Sequence, residues 1–378
     1  MTRWEIITGE YPPQPGGVAD YSQFVARALV SAGDEVAIHA PGSADSETDD
    51  AGVRVCRLPD RFGRAARREL SHTIDGRARI LVQYVPHAFG LKAMNLPFCI
   101  WLYQQRHRDV TVMFHEVAYP IRRQQPMRRN LLGTTHRLMA ALVARSAKRI
   151  LVAAEAWRST VRAYAPADCP ILWAPVPGNI PVVDDTDAMK VQRMRYAPRG
   201  EALIGHFGTY GTERSQLLRQ ALQPILDSSG ANLLLIGRGS EEFRTTLVVR
   251  YPSAANRVHA TGSLDRGDAS LSISACDAML QPYEDGITSR NASAIAALAH
   301  SRPLVANAGS HSENMWNRSA GVLAIRSASP RELGIAALDL VRDRERARAM
   351  GCAGAALYQE VFDLRHTVNL LREVRCEF

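Results

Sequence analysis

The sequence predicts an α/β protein built from two doubly wound, parallel-sheet domains. Three observations carry this expectation. Short apolar runs alternate with longer segments of helical period. The alternation halts once, in a Pro-rich and basic stretch at 174–200, and then resumes. The chain has 378 residues, 46% of them hydrophobic and 22% charged, an ordinary composition with length enough for two cores.

In the first half, "WEIIT", "EVAIHA", "VRVCRL", "RILVQYV", "VTVMFH" and "RILVAA" read as strands. Helical stretches such as "DYSQFVARALVSAG" and "NLLGTTHRLMAALVARSAK" lie between several of them. After "APVPGNIPVVDD" and the irregular "MKVQRMRYAPRG", a second set begins: "ALIGHFG", "NLLLIG", "RVHATG", "DAMLQP", "PLVANA" and "GVLAI". The expected organisation is a first Rossmann-like domain at 1–180, a linker at 181–200 and a second Rossmann-like domain at 201–345. A terminal helical region at 346–378, interrupted near Gly351, is expected to return to the first domain.

Composition excludes several classes. No run of roughly 18 apolar residues is present to cross a membrane. The N-terminus lacks a signal-like apolar stretch, and the six cysteines are scattered without a CxxC or Cys/His cluster. A cytoplasmic protein without structural zinc is expected. Nucleic-acid binding has only the high pI in its favour, with no helix-turn-helix, zinc or aromatic-basic platform. The net charge of +8 is concentrated in residues 121–149, which hold seven Arg, one Lys and no acid. One anionic surface partner is the expectation there, with peripheral contact to an anionic membrane as one form of it.

In open parallel sheets ligands sit beyond the carboxyl ends of strands, so the loops after strands hold the candidate residues. "EYPPQPGGVADYS" follows the first strand. Gly16 and Gly17 there allow close backbone approach, and Asp20 with Gln23 fits a capping box. His115 ends an apolar strand and is expected to face the cleft, where an imidazole can hydrogen-bond a substrate hydroxyl. "FGTYGTERSQLL" joins Gly208 and Thr209 to Arg214 at a helix start, a pattern for anion binding. Gly262, in "ATGS", lets a base approach the backbone. In "QPYEDGITSRNASAIAALAHSRPLVAN", Glu284 and Asp285 enter a turn at Gly286, and Thr288 or Ser289 is expected to cap a helix. The N–H groups of Ile287, Thr288, Ser289 and Arg290 would then face a diphosphate, with Glu284 on sugar hydroxyls. Each pattern also has a structural reading as a tight turn or a satisfied side chain.

Taken in order, these stretches resemble glycosyltransferase family 4, retaining enzymes of the GT-B fold that use nucleotide sugars. "PPQPGGVADYS" is similar to the family's first loop, "MFHEV" to its histidine loop, and "DAMLQPYEDG…AALAHSRPLV" to its donor signature. "VQYVPHAFG", with Tyr84 and His87, is similar to connecting segments of bacterial polysaccharide and natural-product members. The resemblance implies transfer of a sugar from a nucleotide diphosphate to a hydroxyl acceptor by front-face delivery, without a metal. It implies catalytic roles for His115, Glu284 and Arg214, and places Asp20, Tyr84 and His87 on the acceptor side. Three departures stand out. Ala296 occupies the place of the family's second acid, the donor loop is four residues longer, and Thr209 replaces a basic residue, with Arg290 expected to compensate. These departures motivate the alternative of a catalytically impaired scaffold.

Overall fold

A computed structural model of the chain describes residues 1–42, 48–121, 123, 125–211, 215–327 and 329–373. It divides into two compact units, Met1–Pro175 with Leu364–Phe378, and Val176–Asp363.

The first unit holds β1 (Arg3–Thr8), β2 (Glu35–Pro41), β3 (Thr48–Asp50), β4 (Val53–Leu58), β5 (Arg79–Tyr84), β6 (Val110–Phe114), β7 (Arg149–Val152) and β8 (Ile171–Trp173). Their order is β3-β4-β2-β1-β5-β6-β7-β8, parallel except where β3 meets β4. The second unit holds β9 (Ala202–Phe207), β10 (Ala231–Ile236), β11 (Val258–Ala260), β12 (Ala278–Gln281), β13 (Leu304–Asn307) and β14 (Val322–Ile325). Their order, β11-β10-β9-β12-β13-β14, is the dinucleotide-binding order 3-2-1-4-5-6. The central strands are continuous apolar runs because helices cover both faces. All six residues of β10, for example, are buried. Strand order reverses beside β1 and β5 in one unit, and beside β9 and β12 in the other. Those are the switch points at which open sheets bind ligands.

Three expectations are corrected here. The 181–200 stretch is not an irregular linker. Thr186–Tyr196 is helical and belongs to the second unit, held by Arg193, which donates to the carbonyls of Ala275 and Glu201 at 2.9 and 2.6 Å. The terminal helical region does not break at Gly351. That residue lies inside the helix Arg344–Leu357, where a Cβ would meet the Ser301 carbonyl oxygen at 2.2 Å. The return to the first unit starts at Leu364, not at 346.

The returning helix, Leu364–Glu373, is fixed by buried polar groups of the first unit. Arg149 is almost fully buried on β7. It donates to Thr111 Oγ1 at 3.0 Å and to the carbonyls of Leu370 and Leu371 at 3.2 and 3.3 Å. A guanidinium thereby satisfies carbonyls that the last helical turn leaves without intrahelical partners. Arg372 pairs with Asp34 at 3.2 Å, and the Tyr21 hydroxyl bonds Thr367.

Candidate functional site

In the second unit, β12 pairs with β9 only through Ala278–Ile204 and Met279–Gly205. Beyond that point the carboxyl ends are joined by a side chain, Gln281 Nε2 donating to the Phe207 carbonyl at 3.1 Å. A cavity of about 40 Å³ lies there, lined by Gly208, Thr209 and Tyr210 from one loop and by Pro282, Tyr283 and Ser293 from the other. It occupies the switch point. Tight backbone contact builds its rim. Gly237 has φ +116°, and a Cβ on it would meet the Gly208 oxygen at 2.2 Å. The Gly208 N–H donates to the Ile236 carbonyl at 3.0 Å, and Thr209 is exposed at the mouth. Arg214 lies outside the described residues.

The loop after β12 differs from the expectation in its hydrogen bonding. Glu284 and Asp285 are exposed, and Gly286 makes the turn with φ +86°. A Cβ at Gly286 would meet Gly309 N at 2.1 Å, so the turn and the loop after β13 touch through their backbones. The following amides are not open to a ligand. Ile287 N–H donates to the Asn307 carbonyl at 2.8 Å and Thr288 N–H to Asn291 Oδ1 at 2.7 Å. Ser289 N–H and Oγ–H both donate to the buried Glu313 carboxylate, at 3.1 and 2.6 Å. Glu313 also accepts from Trp316 Nε1 at 2.7 Å. The helix therefore starts later than expected, at Ala292–Ala299, with Asn291 before it in place of Thr288 or Ser289. Its first turn presents Ser293, whose hydroxyl lies 3.0 Å from the Tyr283 hydroxyl beside the cavity. Arg290 is half-buried at this corner. Ala296 is fully buried, and Gly178 lies so close that a Cβ there would sit 3.4 Å from the Ala296 Cα. Gly262 is also buried, its N–H donating to Ser240 Oγ at 2.9 Å.

In the first unit, the loops after β1 and β5 meet at the switch point, where a Cβ on Gly9 would meet the Ala88 Cβ at 2.3 Å. Neither Gly16 nor Gly17 lies in the left-handed region. Gly16 is extended, and its lack of a side chain leaves room for the Glu10 carboxylate, which a Cβ would meet at 2.3 Å. Glu10 Oε1 accepts the N–H groups of Val18 and Ala19 at 3.0 and 3.1 Å, so it caps the helix Gly17–Ser31. The expected capping box is absent. Asp20 lies within the first turn, and Gln23 Nε2 donates to Asp50 at 2.9 Å. Gly17 is exposed, with open space around it.

His115 follows β6 and is largely buried, 7% exposed. Its Nε2 lies 2.8 Å from Gln83 Oε1, and its ring meets Tyr21 edge-on at 4.7 Å. Burial pushes its pKa down to about 3, so the ring is neutral near pH 7, with Nε2–H donating to Gln83 and Nδ1 carrying the lone pair. His87, exposed after β5, lies 3.4 Å from the Glu116 carboxylate, and that partner raises its pKa. Tyr84 is a core residue rather than an acceptor-side one. It is fully buried, stacked on Phe89 and edge-on to Phe114. Among the described residues, no group of three or more His, Cys, Asp or Glu side chains is placed to hold a metal.

The structure thus brings Gly208, Thr209, Glu284, Gly286, Ile287, Thr288, Ser289 and Arg290 to the carboxyl edge of one sheet. Gly16, Gly17, Asp20, His87 and His115 come to that of the other. Sequence reasoning missed Glu10, Gln83, Tyr283, Ser293 and Glu313. Glu313 is 24 residues from the serine it holds and carries no local signal.

Solved structures of known proteins align with nearly the whole chain. Sucrose-phosphate synthase from Thermosynechococcus elongatus has TM-score 0.75 at 18% identity, covering 99% of both chains. WaaG, a glycosyltransferase involved in lipopolysaccharide biosynthesis, has TM-score 0.68 at 13% identity, covering 99% of this chain and 100% of its own. HepE from Anabaena, solved in complex with UDP-glucose, has TM-score 0.67 at 15% identity, covering 99% of both. The chain has the GT-B fold. No protein-family model matches it, and no curated protein sequence does.

Proposed function

We propose that the protein is a glycosyltransferase that moves a sugar from a nucleotide diphosphate to a hydroxyl acceptor, with retention and without a metal. The observation that carries this reading is the crevice between β9 and β12, bounded by two glycine-built turns and the 292–299 helix start. HepE, which shares the fold, has been solved with UDP-glucose. In the proposed reaction the bond between the anomeric carbon and the diphosphate oxygen breaks. The acceptor oxygen bonds that carbon on the same face, and its proton passes to the departing diphosphate. Arg290 and the first turn at Ser293 would offset the developing phosphate charge, with Arg214 assigned the same role from sequence. Each such fixed donor is worth about 3 kcal/mol in a transition state. Glu284 would hold sugar hydroxyls. His115, being neutral, would serve as a hydrogen-bonding partner of the sugar and not as a cation. His87 and Asp20 would border the acceptor.

The test incubates the purified chain with UDP-, GDP- and ADP-sugars in EDTA, with proton NMR following the anomeric signal. Release of nucleotide diphosphate with an unchanged anomeric configuration supports the reading. Inversion removes retention, and a strict need for Mg or Mn removes metal independence. The engagement of the Thr288 and Ser289 amides by Asn291 and Glu313 favours the second reading, an impaired scaffold. Nucleotide binding without turnover on any donor would select it.

The 121–149 region supports a membrane-facing acceptor. The helix Met127–Ser146 buries Gly133, His136, Met139, Ala140, Val143 and Ala144. Leu131 and Leu138 point outward with Met127 and are 62, 53 and 83% exposed. They form one stripe at i, i+4 and i+11, with exposed Arg128 beside it and exposed Arg145 in line with it at i+18. An apolar stripe edged by arginines suits the surface of an anionic bilayer, where each basic side chain is worth about 1 kcal/mol. No helix among the described residues is long and apolar enough to cross a membrane. Sedimentation with anionic but not neutral vesicles, weakened by salt and by Leu131→Ser with Leu138→Ser, is expected. Equal sedimentation with both removes the membrane reading.

A further inference from the structure

A second cavity of the second unit lies at the opposite end of its sheet from the crevice. It encloses about 620 Å³ at the amino ends of β9, β12 and β13, where Ala202 opens β9, Asp277 precedes β12 and Pro303 precedes β13. That volume falls within the range of small-molecule sites. Four guanidinium groups and one carboxylate line it: Arg193, Arg302, Arg344, Arg348 and Asp277.

The carboxylate is already engaged. Asp277 Oδ2 lies 2.8 Å from Arg193 Nη2 and accepts the Leu203 N–H at 2.7 Å. Arg302 is half-buried and makes no ion pair among the described residues. Its Nε donates to the His300 carbonyl at 2.9 Å, and its Nη1 to those of Ser274 and Cys276 at 3.2 Å each. These bonds fix the guanidinium in place without neutralising it. Burial lowers its pKa, as expected for a cation without an adequate counterion. Arg344 and Arg348 are exposed, four apart on the helix Arg344–Leu357, and so on one face a turn from each other. Among the described residues neither has a carboxylate partner. One anchored and two exposed guanidinium groups thus line a cavity whose one carboxylate, Asp277, is already engaged. Guanidinium forks match phosphate oxygens in pairs, and a dianionic phosphate answers several of them at once. The cavity has room for more than the phosphate.

We propose that this cavity is a second ligand site, for a small phosphomonoester of sugar-phosphate or nucleoside-monophosphate size. The proposal stands on unit-two geometry alone and does not depend on the sugar-transfer reading.

Cys352 lines the same cavity and is exposed, so its alkylation rate reports occupancy. The full chain is treated with iodoacetamide, with glucose 6-phosphate, AMP or inorganic phosphate added in turn, and Cys352 is followed by peptide mass spectrometry. Glucose and adenosine serve as uncharged controls. Saturable protection of Cys352 by glucose 6-phosphate or AMP is expected, with neither control protecting. Inorganic phosphate, lacking the rest of the ligand, is expected to need at least tenfold higher concentration. The double variant Arg344→Gln, Arg348→Gln changes only exposed side chains. It should keep the wild-type melting temperature and lose at least tenfold in protection. No protection by either phosphomonoester overturns the proposal. So does protection undiminished in the double variant, or equal potency of inorganic phosphate.

Discussion

His115→Gln tests the state of the imidazole at the carboxyl edge of the first sheet. In the native chain burial holds the His115 pKa near 3, against an ordinary value of about 6.5. Between these values the unfolded chain takes up a proton that the native chain does not. Stability is therefore lost as pH falls below about 6.5, and the loss stops growing near pH 3. At pH 5.5 the native ring is still neutral, so only unfolded-state titration enters. The loss relative to pH 7.5 is then about 1.4 kcal/mol. Glutamine keeps an amide N–H for Gln83 Oε1 and does not titrate. The variant should start less stable through imperfect packing against Tyr21, but should lack this share of the pH dependence. His136, whose pKa is also lowered by burial, titrates in both chains and cancels from the difference. The assay is urea unfolding followed by tryptophan fluorescence, since Trp4, Trp101, Trp157 and Trp173 lie in the first unit. The gap between wild type and variant should narrow by about 1.4 kcal/mol from pH 7.5 to 5.5, roughly 3–6 °C if read as a melting temperature. Parallel curves would show that His115 protonates freely in the native state. The neutral hydrogen-bonding role assigned to it would then fail.

Arg149→Met should destabilise the first unit by about 3 kcal/mol, because the carbonyls of Leu370 and Leu371 and the Thr111 hydroxyl lose a buried donor. Hydrogen exchange should rise in 364–373 and leave the second unit unchanged; unaltered exchange there refutes the anchoring argument. Gly286→Ala should cost the second unit about 3 kcal/mol, combining positive φ with a Cβ driven into Gly309 N. A melting temperature within 1–2 °C of wild type, against the shift of roughly 6–12 °C this loss implies, would show that the two loops separate easily.

Much of the architecture was legible because it is local. Runs such as "LLLIG" and "ILV" are apolar, which suits strands covered on both faces, and the helical periods between them set the crossovers. The turn at Gly286 was legible too, since an acid pair before a glycine and an Ala-rich helix allow few alternatives. The 181–200 stretch was misread because its helix is polar and irregular in pattern. It is held by Arg193 reaching carbonyls of residues 201 and 275.

The sequence by itself determined most of the strands and helices, the division into two sheets, and the loops in which a ligand would be sought. Tertiary structure decided what each polar group in those loops does. Glu10 took the helix start that Asp20 was expected to cap, because the helix begins at Gly17, which leaves Asp20 inside its first turn and brings the Glu10 carboxylate to the free N–H groups. Glu313 took the amide of Ser289 from 24 residues away. Tyr84 went inward, and Leu131 and Leu138 outward, because β5 and the 127–146 helix have their partners on particular sides. A period tells that a face will be buried. Only the neighbour that arrives through the fold tells which face, and which donors and acceptors remain for a ligand.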